Sequence, residues 1–255
     1  MGKIVVFDSG LGSLSIIQAI RKVAKADLIY FADQKNYPYG KKTSKELRHI
    51  IEYTIKSLKK KFDPDVIIVG SNTPTILFPN LFANENILGV LPPLSEAVDK
   101  TKTRSIAILG TTIALRSEQL NSYIANNVSK NILVTKIVAT ELIDLVETGK
   151  FITDANLCKK KMLDILLDTV ISKHIDVITL SSTHLSFLSI QLQELFPKIK
   201  FLDPSMCVAK QIKKNKNFRE SKRNSLKIFC SGNIELFQNN LSKLKILNKV
   251  QYLKF

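Results

Sequence analysis

Asp65-Val66-Ile67-Ile68-Val69-Gly70-Ser71-Asn72-Thr73 runs four apolar residues straight into a turn of small polar ones. Asp176-Val177-Ile178-Thr179-Leu180-Ser181-Ser182-Thr183-His184 repeats the pattern later in the chain. A short apolar run closed by glycine and hydroxyl residues reads as a strand buried on both faces, which is the habit of parallel sheets. A second pair echoes the first. Ile4-Val5-Val6-Phe7-Asp8-Ser9 and Ile106-Ala107-Ile108-Leu109-Gly110-Thr111 also pass from strand to polar turn. Two such pairs predict an internal repeat, with two similar α/β halves whose polar turns face each other.

Working outward, β-branched runs at 3–7, 28–31, 66–69, 87–90, 105–109, 133–138, 177–180, 200–202 and 227–230 alternate with segments of helical period. The helical patterns include 44–60, 117–126, 155–172 and 187–196. Alternation of this kind predicts an α/β fold: two α/β half-domains with mostly parallel sheets and a ligand cleft between them.

Composition supports a self-sufficient fold. The chain has 255 residues, of which 45% are hydrophobic, and a chain of that length buries roughly three quarters of its unfolded surface. Three cysteines, Cys158, Cys207 and Cys230, have no paired spacing for a disulfide framework or a metal site, so a reducing, cytoplasmic setting is expected and each thiol reads as a small core hydrophobe. The apolar start at 4–7 is cut off by Asp8, too early for a signal peptide, and no later run has the length of a membrane span. A formal charge of +16 could attract nucleic acid. Its lysines, however, fall in separate helices (Lys56 and Lys59 to Lys61, Lys159 to Lys161, Lys213 and Lys214 onward) with almost no aromatic residues among them, which fits solvated faces.

The residues expected to carry chemistry share one place in the pattern. Asp8, Ser9, Asp33, Ser71, Asn72, Thr73, Thr111, Ser182, Thr183 and His184 all fall just after predicted strands. In open α/β sheets that edge is where ligands bind. Hydroxyls and free N–H groups at helix starts there suit a carboxylate. His49 and His174 lie on helical or linking segments and read as surface or satisfied core residues.

Six short motifs then fall in the order and context of one family. Asp8-Ser9-Gly10-Leu11-Gly12, Pro38-Tyr39-Gly40, Ser71-Asn72-Thr73, Gly110-Thr111, Leu145-Val146-Glu147 and Ser182-Thr183-His184 resemble the motifs of cofactor-independent glutamate racemases, in the aspartate/glutamate racemase superfamily. The resemblance implies an N-terminal half completed by the C-terminal segment (1–97 with 205–255), a middle half (98–204), and substrate in the cleft. It implies that Asp8, Ser9, Tyr39, Gly40, Asn72, Thr73, Thr183 and His184 contact a glutamate-like ligand, and that Glu147 sits near the second catalytic position. No cofactor and no metal are implied. The expected partner is a small acidic amino acid; a homodimer is an admissible assembly, and neither membrane nor nucleic acid is expected. Ala114 stands where many members carry threonine.

Both positions where the family carries its catalytic cysteines are serine here, Ser71 and Ser182. Racemisation without a cofactor removes an α-proton from one face and returns one to the other, so two opposed acid/base groups are needed. A thiol with a pKa of about 8.5 supplies a thiolate near neutrality. An unassisted hydroxyl does not. Among neighbours, His184 is close enough in sequence to be considered as a base for Ser182, whereas Ser71 has only Asp8. Racemisation is therefore expected to be lost or strongly reduced. Two alternatives stay open at this point: an active racemase that uses Asp8, Glu147 or His184 as bases or whose parent carries cysteines, and a basic nucleic-acid-associated protein on the same fold.

Overall fold

The computed structural model describes residues 2–255. In chain order the strands are β1 (Lys3–Asp8), β2 (Asp27–Ala32), β3 (Val66–Val69), β4 (Ile87–Leu88), β5 (Ser105–Gly110), β6 (Leu133–Val138), β7 (Val177–Ser181), β8 (Lys200–Leu202), β9 (Ser225–Cys230) and β10 (Val250–Tyr252). They form a six-stranded sheet, β10-β9-β2-β1-β3-β4, and a four-stranded sheet, β6-β5-β7-β8. Every pairing is parallel. The order β2-β1-β3-β4 of the first sheet recurs as β6-β5-β7-β8 in the second, which is the internal repeat that the paired strand motifs predict.

Helices cover both faces of each sheet, so the central strands are apolar throughout. In β3, Val66, Ile67, Ile68 and Val69 are all buried, and β5 is buried from end to end. Alternate residues of β1 feed two cores: Ile4 and Val6 pack with Leu14, Ile17 and Ile20, while Val5 and Phe7 pack with Leu47, Ile51 and Leu58. The latter three lie on one stripe of the helix Ser44–Phe62. That helix starts at a reciprocal cap, in which Thr43 and Glu46 satisfy each other's backbone N–H, and ends at Asp63 with φ 43°. Truncating one of these core leucines to alanine costs about 2–5 kcal/mol.

Three elements differ from their sequence patterns. Strand β4 stops at Leu88 because the backbone of Val90 serves the loop beside it, its N–H donating to Thr75 Oγ1 and its carbonyl accepting from Asn72 Nδ2. The helical pattern at 187–196 resolves into a 3-10 helix, Thr183–Leu188, followed by an α-helix, Ser189–Leu195. Strand β10 was not in the pattern; it is short and lies at a sheet edge with Gln251 and Tyr252 exposed.

The carboxyl ends of the two sheets face each other. Thr73 Oγ1, after β3, lies 3.0 Å from Thr111 Oγ1, after β5, and Thr183, after β7, donates to the Gly70 carbonyl at 2.9 Å. Cys158 and Cys230 are buried in the cores and Cys207 is half-buried; His49 and His174 are exposed, as are the lysine runs. Among the described residues no helix is long and apolar enough to cross a membrane.

Candidate active site

A cavity of about 240 Å³ lies between the facing strand ends. Of the residues the sequence puts forward, Asp8, Ser9, Tyr39, Gly40, Ser71, Asn72, Thr73, Thr111, Ser182 and His184 line it. Glu147 and Thr183 stand behind the wall, bonded to His184 and Asp8. Asp33 lies away from the cavity, where it accepts hydrogen bonds from Asn36, Tyr39 and Ser231. It thereby fixes the Tyr39 ring.

Ser71 and Ser182 come from opposite sheets. Each precedes a short helix in extended backbone, with φ/ψ of −131°/130° and −149°/133°, and neither hydroxyl caps its helix. Among the described residues no hydrogen bond holds either hydroxyl. The pairing of Ser182 with His184 that the sequence allows is not formed. Nε2 of His184 is 2.9 Å from Glu147 Oε2, and its Nδ1 edge packs against Gly12.

The glycines of Asp8-Ser9-Gly10-Leu11-Gly12 gain their reason from this packing. A Cβ on Gly10 would collide with the Glu147 carboxylate, and one on Gly12 with the His184 ring and Thr183 Oγ1. The loop can therefore close over the His184–Glu147 pair, and the Leu11 N–H donates to Glu147 Oε2 at 2.7 Å. Tyr30 supports the loop from below by donating to the Gly10 carbonyl.

Asp8 accepts from the Ser9 N–H at 2.7 Å and from Thr183 Oγ1 at 3.2 Å. Burial nonetheless pushes its carboxyl up to about 6, against the opposing pull of His184 and the Ser9 amide. For His184, burial pulls the imidazole down, but the hydrogen bond and charge of Glu147, with Asp8 and Asp144 adding to them, outweigh it and hold the pKa above its usual value. The wall thus carries a buried acid–base array of Asp8, His184 and Glu147.

Asn72 is the most informative polar group. Its Nδ2 donates to the Val90 carbonyl at 3.0 Å, while its Oδ1 is buried without a partner. Closed off from solvent, that acceptor carries a desolvation cost of about 1–3 kcal/mol. Tyr37, Lys41, Thr112, Thr140, Ile143, Asp144 and Ser181 also line the cavity, and sequence reasoning missed them. The Leu145-Val146-Glu147 motif could have drawn attention to Ile143 and Asp144, which lie on the same helix, Thr140–Glu147. Among the described residues no group of His, Cys, Asp or Glu is placed to hold a metal ion.

The chain is 31% identical over 234 residues to the glutamate racemase of Buchnera aphidicola subsp. Schizaphis graminum, covering 89% of each chain. Its fold matches glutamate racemase RacE1 of Bacillus anthracis with a TM-score of 0.87 at 19% identity, covering 100% of this chain and 98% of the other. It matches the glutamate racemase of Francisella tularensis subsp. tularensis SCHU S4, solved in complex with D-glutamate, with a TM-score of 0.81 at 20% identity, covering 100% and 97%. No family model matches the chain.

Proposed function

The chain belongs to the glutamate racemase family, and from that premise we propose that it binds a small acidic amino acid of glutamate type between its two sheets and racemises it negligibly. The observation that carries the reading is the pair Ser71 and Ser182, both on the cavity wall and both without a hydrogen-bonded base.

Binding draws on groups that suit the two ends of an amino acid. Asp8, on the cavity wall, is an acceptor for an ammonium group. The Ser9 hydroxyl, the one hydroxyl proton left free in the Thr73–Thr111 pair and the backbone at Gly40 are available to carboxylates, while the Tyr39 hydroxyl is committed to Asp33. Thr183 holds Asp8, and Glu147 holds the His184 ring beside the cavity. The two halves of the reading are residues 1–97 with 205–255 and residues 98–204, supported by the way the strands divide between sheets.

Racemisation needs a populated base on each face of the α-carbon, and neither serine has one. His184 is engaged at Nε2 by Glu147, so it cannot accept the Ser182 proton from that nitrogen. Ser71 has no hydrogen bond to Asp8. Calorimetric titration with L- and D-glutamate and L- and D-aspartate tests the binding: at least one should bind, and Asn72→Ala should weaken it roughly tenfold. Failure of all four to bind contradicts the reading.

A further inference from the structure

Tyr37 and Asp144 meet over the rim of the cavity. Tyr37 belongs to the turn between β2 and the helix Ser44–Phe62, on the side of the first sheet, and Asp144 to the helix Thr140–Glu147, which follows β6 in the second. The Tyr37 hydroxyl donates to Asp144 Oδ1 at 3.1 Å, and both residues line the cavity. Asp144 is exposed and Tyr37 half-buried, which puts their bond at the outer edge. Other bonds between the halves lie deeper, among them Thr73 to Thr111, Thr183 to Gly70, and Leu11 to Glu147. Tyr37 also lines a second cavity of about 390 Å³, with Gln34, Glu147, Asn240 and Lys243.

We propose that the Tyr37–Asp144 hydrogen bond is a latch across the cavity, which opens for a ligand to enter or leave and which, closed, limits the site to a free amino acid. The inference rests on the binding function proposed above. The cavity volume of about 240 Å³ lies below the range of about 300–1,000 Å³ common to sites for larger ligands. A ligand extended toward this rim meets Tyr37 and Asp144. Burial raises the pKa of the Tyr37 phenol, with the charges of Glu147 and Asp144 adding to it, so it remains a donor. A bond from a phenol to a carboxylate is strong enough to make opening infrequent and weak enough to be reversible.

Tyr37→Phe removes the hydroxyl and keeps the ring. In the ligand-free protein, amide hydrogen exchange at residues 34–41 and 140–147 should then quicken about tenfold, while Tyr53→Phe, at an exposed tyrosine on the helix Ser44–Phe62, should leave both segments unchanged. Stopped-flow measurement with D-glutamate should show faster association and dissociation in Tyr37→Phe. Tyr37→Ala, which opens the rim, should narrow the preference for D-glutamate over γ-glutamyl-glycine and glycyl-glutamate. Unchanged exchange in Tyr37→Phe overturns the latch, and an unchanged preference in Tyr37→Ala overturns the size limit. If D-glutamate binds neither native nor variant protein, the proposed binding function fails, and ligand-free hydrogen exchange still decides the latch.

Discussion

Ser71 and Ser182 occupy equivalent positions in the two sheets: Ser71 follows β3, which pairs with the central β1, and Ser182 follows β7, which pairs with the central β5. Both sit in extended backbone at the start of a short helix, and both line the cavity that Asp8 and His184 also line. The repeat therefore delivers two side chains of the same type to the cavity from opposite sides. Their equivalence is what a two-base reaction requires of a scaffold, and the hydroxyl at each position is what withholds the bases.

The packing of the first loop predicts an asymmetric cost. Gly12→Ala forces its new Cβ into the His184 ring and Thr183 Oγ1, so it should destabilise the chain by about 1–3 kcal/mol and disturb the His184 resonances. Gly40→Ala meets only Thr111, at 3.4 Å or more, and should be far milder. Urea denaturation of both variants checks this; equal stabilities contradict the packing account.

Asp8 should make stability fall as pH rises. Its folded pKa of about 6 exceeds the ordinary 3.8, so the native chain holds a proton that the unfolded chain has released. The stabilisation is complete below the unfolded value and is lost as pH rises through the folded one, a difference on the order of 2–3 kcal/mol. Asp8→Asn should consequently raise the denaturation midpoint at pH 8 and change it little at pH 4. A larger gain at pH 4 than at pH 8 contradicts the assignment.

His184 acts on stability in the same sense. The folded imidazole pKa lies above 6.5, so its contribution is present below that value and fades as pH rises through the folded pKa. Glu147→Gln should lower the His184 midpoint observed by NMR and cost about 1.5–3 kcal/mol near pH 6, with a smaller cost at pH 8. An unmoved His184 midpoint would show that Glu147 does not hold the charge.

Local pattern made much of this legible. Strands β3, β6 and β8 and the helix Ala155–Ser172 fall where their runs predict, since apolar and β-branched runs and a long helical segment are visible in sequence even where, as in β6 and β8, the strand lies at a sheet edge. Strand β10 did not, because a three-residue edge strand with two exposed side chains has no pattern to read. The polar strand ends foretold a cleft. Tyr37 and Asp144 were invisible, because their meeting depends on how two distant loops are brought together, and nothing in either local sequence encodes that contact. The same holds for His184, which is two residues from Ser182 in sequence but turned toward Glu147 in space.

The central claim is that the scaffold is intact and the two bases are absent. The direct measurement is chiral analysis of glutamate together with α-proton exchange in deuterated water, on the native chain, Ser71→Cys, Ser182→Cys and the double variant. The native chain should interconvert the enantiomers negligibly, each single variant should at most exchange the α-proton of one enantiomer, and the double variant should racemise, because a thiolate is accessible where an alkoxide is not. Robust racemisation by the native chain, or none by a double variant that still binds glutamate, would contradict the account.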